Sequence, residues 1–107
     1  MAIDNHITSR QNERVKAAIK LRNSRQRLKQ GRILVDGARP ILRGAKAGLA
    51  IVEAFLCREL IHSAEGQEAA MHLEQTAASC STVTAEVYSK LAFGENEDGV
   101  VAVANRP

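Results

Sequence analysis

Aromatic side chains are scarce in this sequence. It contains no tryptophan, one tyrosine (Tyr88) and two phenylalanines (Phe55 and Phe93). Proteins that hold single-stranded RNA commonly stack its bases on exposed aromatic rings. We expect both phenylalanines to be core residues, which leaves too few rings for such a platform. Any recognition of a nucleic acid would therefore use phosphate, shape and 2′-hydroxyl contacts.

Cysteines and long apolar runs are also few. The two cysteines, Cys57 and Cys80, match no metal-binding spacing. We expect two buried thiols in a reducing compartment. No apolar run approaches the ~20 residues that cross a bilayer, and the first ten residues lack the apolar stretch of a signal peptide. The sequence therefore predicts a cytoplasmic protein without membrane contact.

The usual signatures of catalysis are missing too. The three histidines, His6, His62 and His72, have no Ser, Cys or carboxylate partner at a spacing that suggests a catalytic triad. The sequence has neither a Walker loop nor a GxGxxG motif. We therefore predict no catalytic and no metal-ligating residue.

Charge is distributed very unevenly along the chain. Residues 9–46 contain twelve Lys or Arg and two acids, whereas the rest contains three bases and ten acids. Such asymmetry indicates a polyanionic partner for the basic segment. The planar guanidinium suits phosphate oxygens, and several cations on one surface release counterions from a nucleic acid. The alternative, a solvated helix face, stays open. The densest cluster comprises Arg22, Arg25, Arg27, Lys29 and Arg32.

The apolar pattern predicts helices followed by alternating strands and helices. Residues 9–30 are predicted to be helical, with an N-cap at Ser9, a break near Asn23–Ser24 and a second helix capped by Ser24. The predicted strands are 32–36, 51–57, 81–83 and 100–104. The predicted helices between them are 38–47, 65–78 and 85–92, the last ended by Gly94.

This order of elements indicates an α/β fold. Strands that alternate with helices, without strict apolar–polar alternation, are typical of a sheet covered on both faces. We predict a three-layer α/β/α sandwich around a mostly parallel sheet of about four strands. The 107 residues would form a single domain, with the first two helices as an N-terminal helical extension.

The segment Gly37–Pro40 joins a predicted strand to a predicted helix. In open parallel sheets, ligands bind beyond the carboxyl ends of the strands, and helix N-termini attract phosphate. Arg39 would add a positive charge at that position. A simple tight turn with an exposed arginine explains the segment equally well, and both interpretations stay open.

The chain resembles a known family over nearly its whole length, from Ile7 to Ala104. The family is the SpoU/TrmH family of S-adenosylmethionine-dependent RNA 2′-O-ribose methyltransferases, and the similar part is its N-terminal substrate-binding domain. The pieces that carry the resemblance are Ser9…Asn12…Val15-Lys16, Arg27…Leu34-Val35-Asp36-Gly37-Ala38-Arg39 and Gly99-Val100-Val101-Ala102-Val103-Ala104.

The resemblance implies a fold similar to the kink-turn-binding ribosomal proteins and a role in gripping a structured RNA, ribosomal or transfer. By position, Asn12, Arg27, Gly37 and Arg39 correspond to family motif residues, while Asp36 stands where the family often has Glu. Together with the basic cluster, this gives a predicted RNA-binding set of Asn12, Arg22, Arg25, Arg27, Lys29, Arg32, Gly37 and Arg39.

The resemblance also implies what these 107 residues do not contain. In the family, a knotted catalytic domain that binds S-adenosylmethionine follows the last strand. We therefore expect a truncated piece of a longer methyltransferase that has no cofactor of its own and is monomeric in isolation. Two alternatives stay open. One is a stand-alone kink-turn-type RNA-binding protein, and the other is a protein–protein docking module that uses the acidic Glu65–Glu74 helix.

Titration calorimetry with S-adenosylmethionine tests this expectation. The chain should give no heat of binding, because the motifs that hold the methyl donor lie in the family's knotted domain. A family member that includes that domain serves as the positive control. Saturable heat from the 107 residues alone would contradict the expectation.

Overall fold

A five-stranded mixed sheet organises the residues that the computed structural model describes, 5–92 and 96–107. The strand order is β1-β4-β3-β5-β2. Both neighbours of β4 run parallel to it, whereas β5 is antiparallel to β3 and to β2. The strands are β1 (Asn5–Ile7), β2 (Arg32–Asp36), β3 (Ile51–Leu56), β4 (Ser79–Val83) and β5 (Val100–Asn105).

Helices cover both faces of the sheet. One face packs against α1 and α5, and the other against α3 and α4. The helix α2 lies beside α1 and contacts β2, the edge strand. The helices are α1 (Glu13–Lys20), α2 (Ser24–Gln30), α3 (Ala38–Lys46), α4 (Ala64–Thr76) and α5 (Ala85–Leu91), and a short 3₁₀ helix spans Arg58–Leu60.

Two apolar clusters, one on each face, form the core. The neighbouring residues Phe55 and Leu56 belong to different clusters because successive side chains of a strand point to opposite faces. Both are 0% exposed. The middle of the sheet is therefore buried on both faces, which explains why its strands show no apolar–polar alternation in sequence.

The predicted α/β class and the three layers are confirmed, but the sheet needs two corrections. It has a fifth strand, β1, and it is mixed because the last strand runs against its neighbours. The direction follows from where β5 begins: the N–H of Cys57, just after β3, donates to the Gly99 carbonyl at 2.8 Å. The chain thus enters β5 at the end where β3 finishes, so it must return antiparallel.

The N-terminal helices also differ from the prediction. Because Val15, Ala18 and Leu21 are buried, α1 is part of the sandwich and not an extension of it. The caps are Asn12 and Asn23, whose side chains accept backbone hydrogen bonds, and not Ser9 and Ser24. Thr84 caps α5, and its side chain accepts from the Val87 N–H. The predictions for Phe93 and Gly94 lie outside the described residues.

Among the described helices, none is long and apolar enough to cross a membrane.

Two glycines with similar backbone conformations meet very different surroundings. Gly99 has φ +84°, and a Cβ there would lie 2.7 Å from Ile61 Cγ1 and 2.9 Å from the Cys57 carbonyl oxygen. Gly48 has φ +77°, but a Cβ would meet nothing within 4 Å. Conformational strain is therefore common to both positions, and crowding affects Gly99 alone.

The pair predicts a graded loss of stability on substitution by alanine. Gly48→Ala should lower the free energy of unfolding by about 1 kcal/mol through strain. Gly99→Ala should lower it by about 3 kcal/mol, because its Cβ also displaces Ile61 and the Cys57 carbonyl group. Urea denaturation followed by circular dichroism measures both. Equal losses would show that crowding at Gly99 is relieved without cost.

Candidate nucleic-acid interface

The solvent face of α2 presents cations without acidic partners. Asn23 caps the helix, and Gly31 ends it in the left-handed conformation at φ +67°. Arg25 and Lys29 are four residues apart and both exposed, so they share one face. Within residues 5–92 and 96–107, no ion pair involves either of them.

Two more basic residues extend this face. Lys20 of α1 and Arg25 line one groove at the α1–α2 junction. Arg32 shares a side of β2 with Leu34, which packs under α1 and α5, so it points to the same layer as α2. We call Lys20, Arg25, Lys29 and Arg32 the α2 surface.

Arg27 lies on the same helix but is directed inward. Its guanidinium donates to the Leu21 carbonyl oxygen at 2.9 Å, and the residue is half-buried. Its side chain holds α2 against the end of α1. The structure therefore gives Arg27 an anchoring role next to the α2 surface.

A second basic stripe lies on the opposite layer. Arg39, Arg43 and Lys46 follow one another along α3 and line a groove with Glu65 and Glu68 of α4. Arg39 Nε lies 3.2 Å from Glu65 Oε2, and the Arg39 side chain is 73% exposed. The predicted arginines thus do not form a single face, because the sheet separates Arg39 from the α2 surface.

Arg22 belongs to an internal polar network. Its Nη2 lies 2.7 Å from Asp36 Oδ2, both side chains are less than a quarter exposed, and it also donates to the Leu91 carbonyl oxygen. This contact joins three elements, the α1–α2 junction, the end of β2 and the end of α5. Arg22 is thereby committed to the fold, and its guanidinium is not a surface cation.

Asn96 continues the network from Asp36 to Tyr88. Its amide nitrogen donates to Asp36, and its amide oxygen accepts from the Tyr88 hydroxyl and from the Asp98 N–H. The Tyr88 hydroxyl in turn accepts from the Gly99 N–H at 3.0 Å. Burial raises the pKa of Tyr88 to about 12. Sequence analysis missed this network. The available signal was Tyr88 itself, which is the only tyrosine and lies four residues after the Thr84 cap of α5.

Asp98 occupies the N-terminus of α3. Its Oδ2 accepts from the Ala38 N–H at 2.9 Å, and a Cβ on Gly37 would lie 3.1 Å from the same oxygen. Gly37 has φ +107°, so a glycine suits both the turn and this close approach. The carboxylate already satisfies the helix terminus, which favours the tight-turn interpretation of this segment over a phosphate site.

Asn12 has a structural contact as well. Its side-chain oxygen accepts from the Arg14 and Val15 N–H groups at 2.9 and 3.3 Å and so begins α1. Of the eight predicted RNA-binding residues, the structure places the exposed Arg25 and Lys29 and the half-buried Arg32 in one layer. It places Asn12, Arg22, Arg27 and Gly37 in internal contacts, and Arg39 on the opposite layer.

A family model decides where this chain belongs. Residues 12–102 match the MRM3-like substrate binding domain. The chain belongs to the MRM3-like substrate-binding domain family. The resemblance to SpoU-type methyltransferases read from the sequence is thereby confirmed.

Three solved structures that share the fold of this MRM3-like domain are methyltransferases. An RNA 2′-O ribose methyltransferase is 31% identical with a TM-score of 0.81, covering 95% of this chain and 38% of that one. An rRNA methyltransferase from Sinorhizobium meliloti is 17% identical with a TM-score of 0.74, covering 95% and 37%. The SpoU methyltransferase AviRb from Streptomyces viridochromogenes, in complex with AdoMet, is 22% identical with a TM-score of 0.75, covering 91% and 36%.

The MRM3-like chain therefore spans less than two fifths of the length of these structures. The two below 25% identity show the shared fold alone. Comparison with curated proteins finds no match. Among the described residues there is no group of three or more His, Cys, Asp or Glu side chains that could hold a metal ion.

The buried Tyr88 hydroxyl predicts a loss of stability at alkaline pH. The pKa of Tyr88 is raised from 10.0 to about 12, so its neutral form stabilises the fold fully below pH 10 and this contribution is lost as the pH rises to 12. The total loss should be about 2–3 kcal/mol. Denaturation midpoints measured from pH 8 to 12 test it, and tyrosinate absorbance reports Tyr88 alone because it is the only tyrosine.

Tyr88→Phe is the matched control for the other groups that titrate in this range. It should be less stable at neutral pH, because Gly99 N–H loses its acceptor, but its stability should fall less steeply with pH. Parallel pH profiles for the two proteins would rule out Tyr88 as the source.

Proposed function

We propose that this chain binds a structured RNA as the substrate-recognition domain of an S-adenosylmethionine-dependent RNA 2′-O-ribose methyltransferase. The observation that carries the proposal is the α2 surface. Within the described residues, no acid pairs with Lys20, Arg25, Lys29 or Arg32. Such cations are available to phosphates, whereas six other bases already have a carboxylate partner: Arg10, Arg14, Lys16, Arg22, Arg39 and Arg58.

The family match adds a reason for RNA rather than another polyanion. The MRM3-like domain is by its description a substrate-binding domain, and one solved structure that shares 31% of its sequence is an RNA 2′-O ribose methyltransferase. Cations on a short helix act mainly by releasing counterions from the RNA backbone. The α2 surface would supply this affinity, and the rest of the enzyme would supply the chemistry.

The binding mode follows from the aromatic residues. Phe55 is 0% and Tyr88 1% exposed, so neither can stack on a base. Recognition would then use phosphates and ribose hydroxyls, which a folded RNA presents in a fixed arrangement. We propose ribosomal or transfer RNA as the substrate class.

We propose that the described residues do not hold the methyl donor. Both of their aromatic rings are buried, and the grooves they line are open surfaces rather than enclosed pockets of the kind that hold a cofactor. No step of the proposed function is assigned to S-adenosylmethionine on this chain. The donor would be held by another part of the enzyme.

The proposal includes a location and an assembly state. We propose a single cytoplasmic domain, residues 1–107, that is monomeric in isolation. The cysteines support the location, because free thiols are typical of a reducing compartment. Cys57 and Cys80 are both 0% exposed and lie in different core clusters, so the sheet separates them and no disulfide joins them. Burial raises the pKa of the Cys57 thiol, which keeps it protonated and unreactive.

Removing charge from the α2 surface should weaken RNA binding. Arg25→Ala with Lys29→Ala should reduce the slope of log affinity against log salt by somewhat under two, because each phosphate contact contributes somewhat less than one. Electrophoretic shift titrations with a ribosomal RNA fragment, a transfer RNA and duplex DNA, at several salt concentrations, measure both slope and preference.

The matched control is Arg43→Ala with Lys46→Ala, which removes the same charge from the opposite layer. This control should leave the slope of log affinity against log salt nearly unchanged. The single variant Arg39→Ala then tests whether RNA reaches that layer at all. A salt-independent affinity, or equal loss from both double variants, would contradict the α2 surface as the binding site.

A further inference from the structure

The helix α2 has its polarity reversed. A surface helix normally turns its apolar residues towards the core and its polar residues towards solvent. In α2 no residue is buried, and its only large apolar side chain, Leu28, is 67% exposed. Leu28 shares the solvent face with Ser24, Arg25 and Lys29.

The inward side of α2 is polar and is held by hydrogen bonds. Arg27 donates to the Leu21 carbonyl oxygen at 2.9 Å, and Gln30 Nε2 donates to the Ala17 carbonyl oxygen at 3.2 Å. These contacts fix the rotation of the helix about its axis. Leu28 is therefore kept in solvent by specific anchors and is not an apolar residue that could turn inward.

We infer that Leu28 is an apolar RNA contact, packing on the riboses of a folded RNA while Arg25 and Lys29 hold the phosphates beside it. This inference rests on the proposed function and deepens it. The side chains at positions 25, 28 and 29 are neighbours on a helix, so the leucine lies among the cations.

The positive charge around Leu28 favours RNA over a protein as its binding partner. The cations that flank Leu28 have no acidic partner among the described residues, and a phosphate backbone supplies complementary charge on both sides of an apolar ribose surface. The wide, shallow minor groove of an A-form helix exposes riboses to such a side chain. Among the described residues, the other exposed large apolar side chain is that of Met71, which is 62% exposed and lies on the glutamate-rich α4.

The experiment separates apolar from ionic contacts by their salt dependence. Leu28→Ala should weaken binding of a structured ribosomal RNA fragment by about five- to tenfold and leave the salt slope unchanged, because no charge is removed. Arg25→Ala should lower the slope by somewhat under one. Met71→Ala, an equal truncation of an exposed side chain on the opposite layer, should change neither quantity.

Each result decides between defined possibilities. If Leu28→Ala binds RNA as wild type does while Arg25→Ala lowers the slope, the role of Leu28 is overturned and the proposed function stands. If Arg25→Ala and Lys29→Ala change neither the affinity for RNA nor the salt slope, the role of Leu28 and the proposed function both fail. If Leu28→Ala leaves RNA binding intact but converts a dimer to a monomer in sedimentation, the residue contacts a second copy of the chain, which also overturns the inference. Since Leu28 is exposed, thermal unfolding of the variant should match wild type.

Discussion

The ion pair between Arg22 and Asp36 is the contact on which the arrangement of this domain depends. It joins the bend between α1 and α2 to the end of the edge strand β2, and Arg22 also binds the last carbonyl of α5. Asp36 also accepts a hydrogen bond from Asn96, and Asn96 in turn accepts from the Tyr88 hydroxyl and the Asp98 N–H. Removing one member would leave a partly buried partner unsatisfied, which commonly costs several kcal/mol. One end of the sheet is thus held by polar contacts while the two faces are held by apolar ones.

This network explains why α2 can present an unusual face to solvent. The helix buries no residue of its own, so apolar packing cannot orient it. Its position is set at one end by Arg22 and along its length by Arg27 and Gln30. The arginines between residues 22 and 32 therefore divide into two groups with different roles. Arg22 and Arg27 hold the backbone in place, and Arg25 and Arg32 remain available to a partner.

The sequence was a good guide to element type and a poor guide to side-chain role. Strands such as 32–36 and the alternation of strands and helices follow from local apolar runs and glycine positions, and these were predicted with small shifts in their ends. The direction of β5 was not predictable from local pattern, because it depends on the Cys57–Gly99 contact across the sheet. Nor does spacing reveal that Arg22 meets Asp36 whereas Arg25, three residues later, meets no described acid. Family motif positions gave no better discrimination, since Asn12 and Gly37 have contacts that serve the fold itself.

The central position of β5 in the sheet has a consequence for how the domain folds. Val103 pairs with Leu34 of β2 on one side and with Glu53 of β3 on the other, so β5 fills the gap between two strands that precede it far back in the sequence. Until β5 leaves the ribosome, β2 has no neighbour in the sheet, and the apolar side chains above and below the gap stay exposed to water. The sheet therefore cannot close until β5 has been made, and pairings this distant in sequence make closure slow.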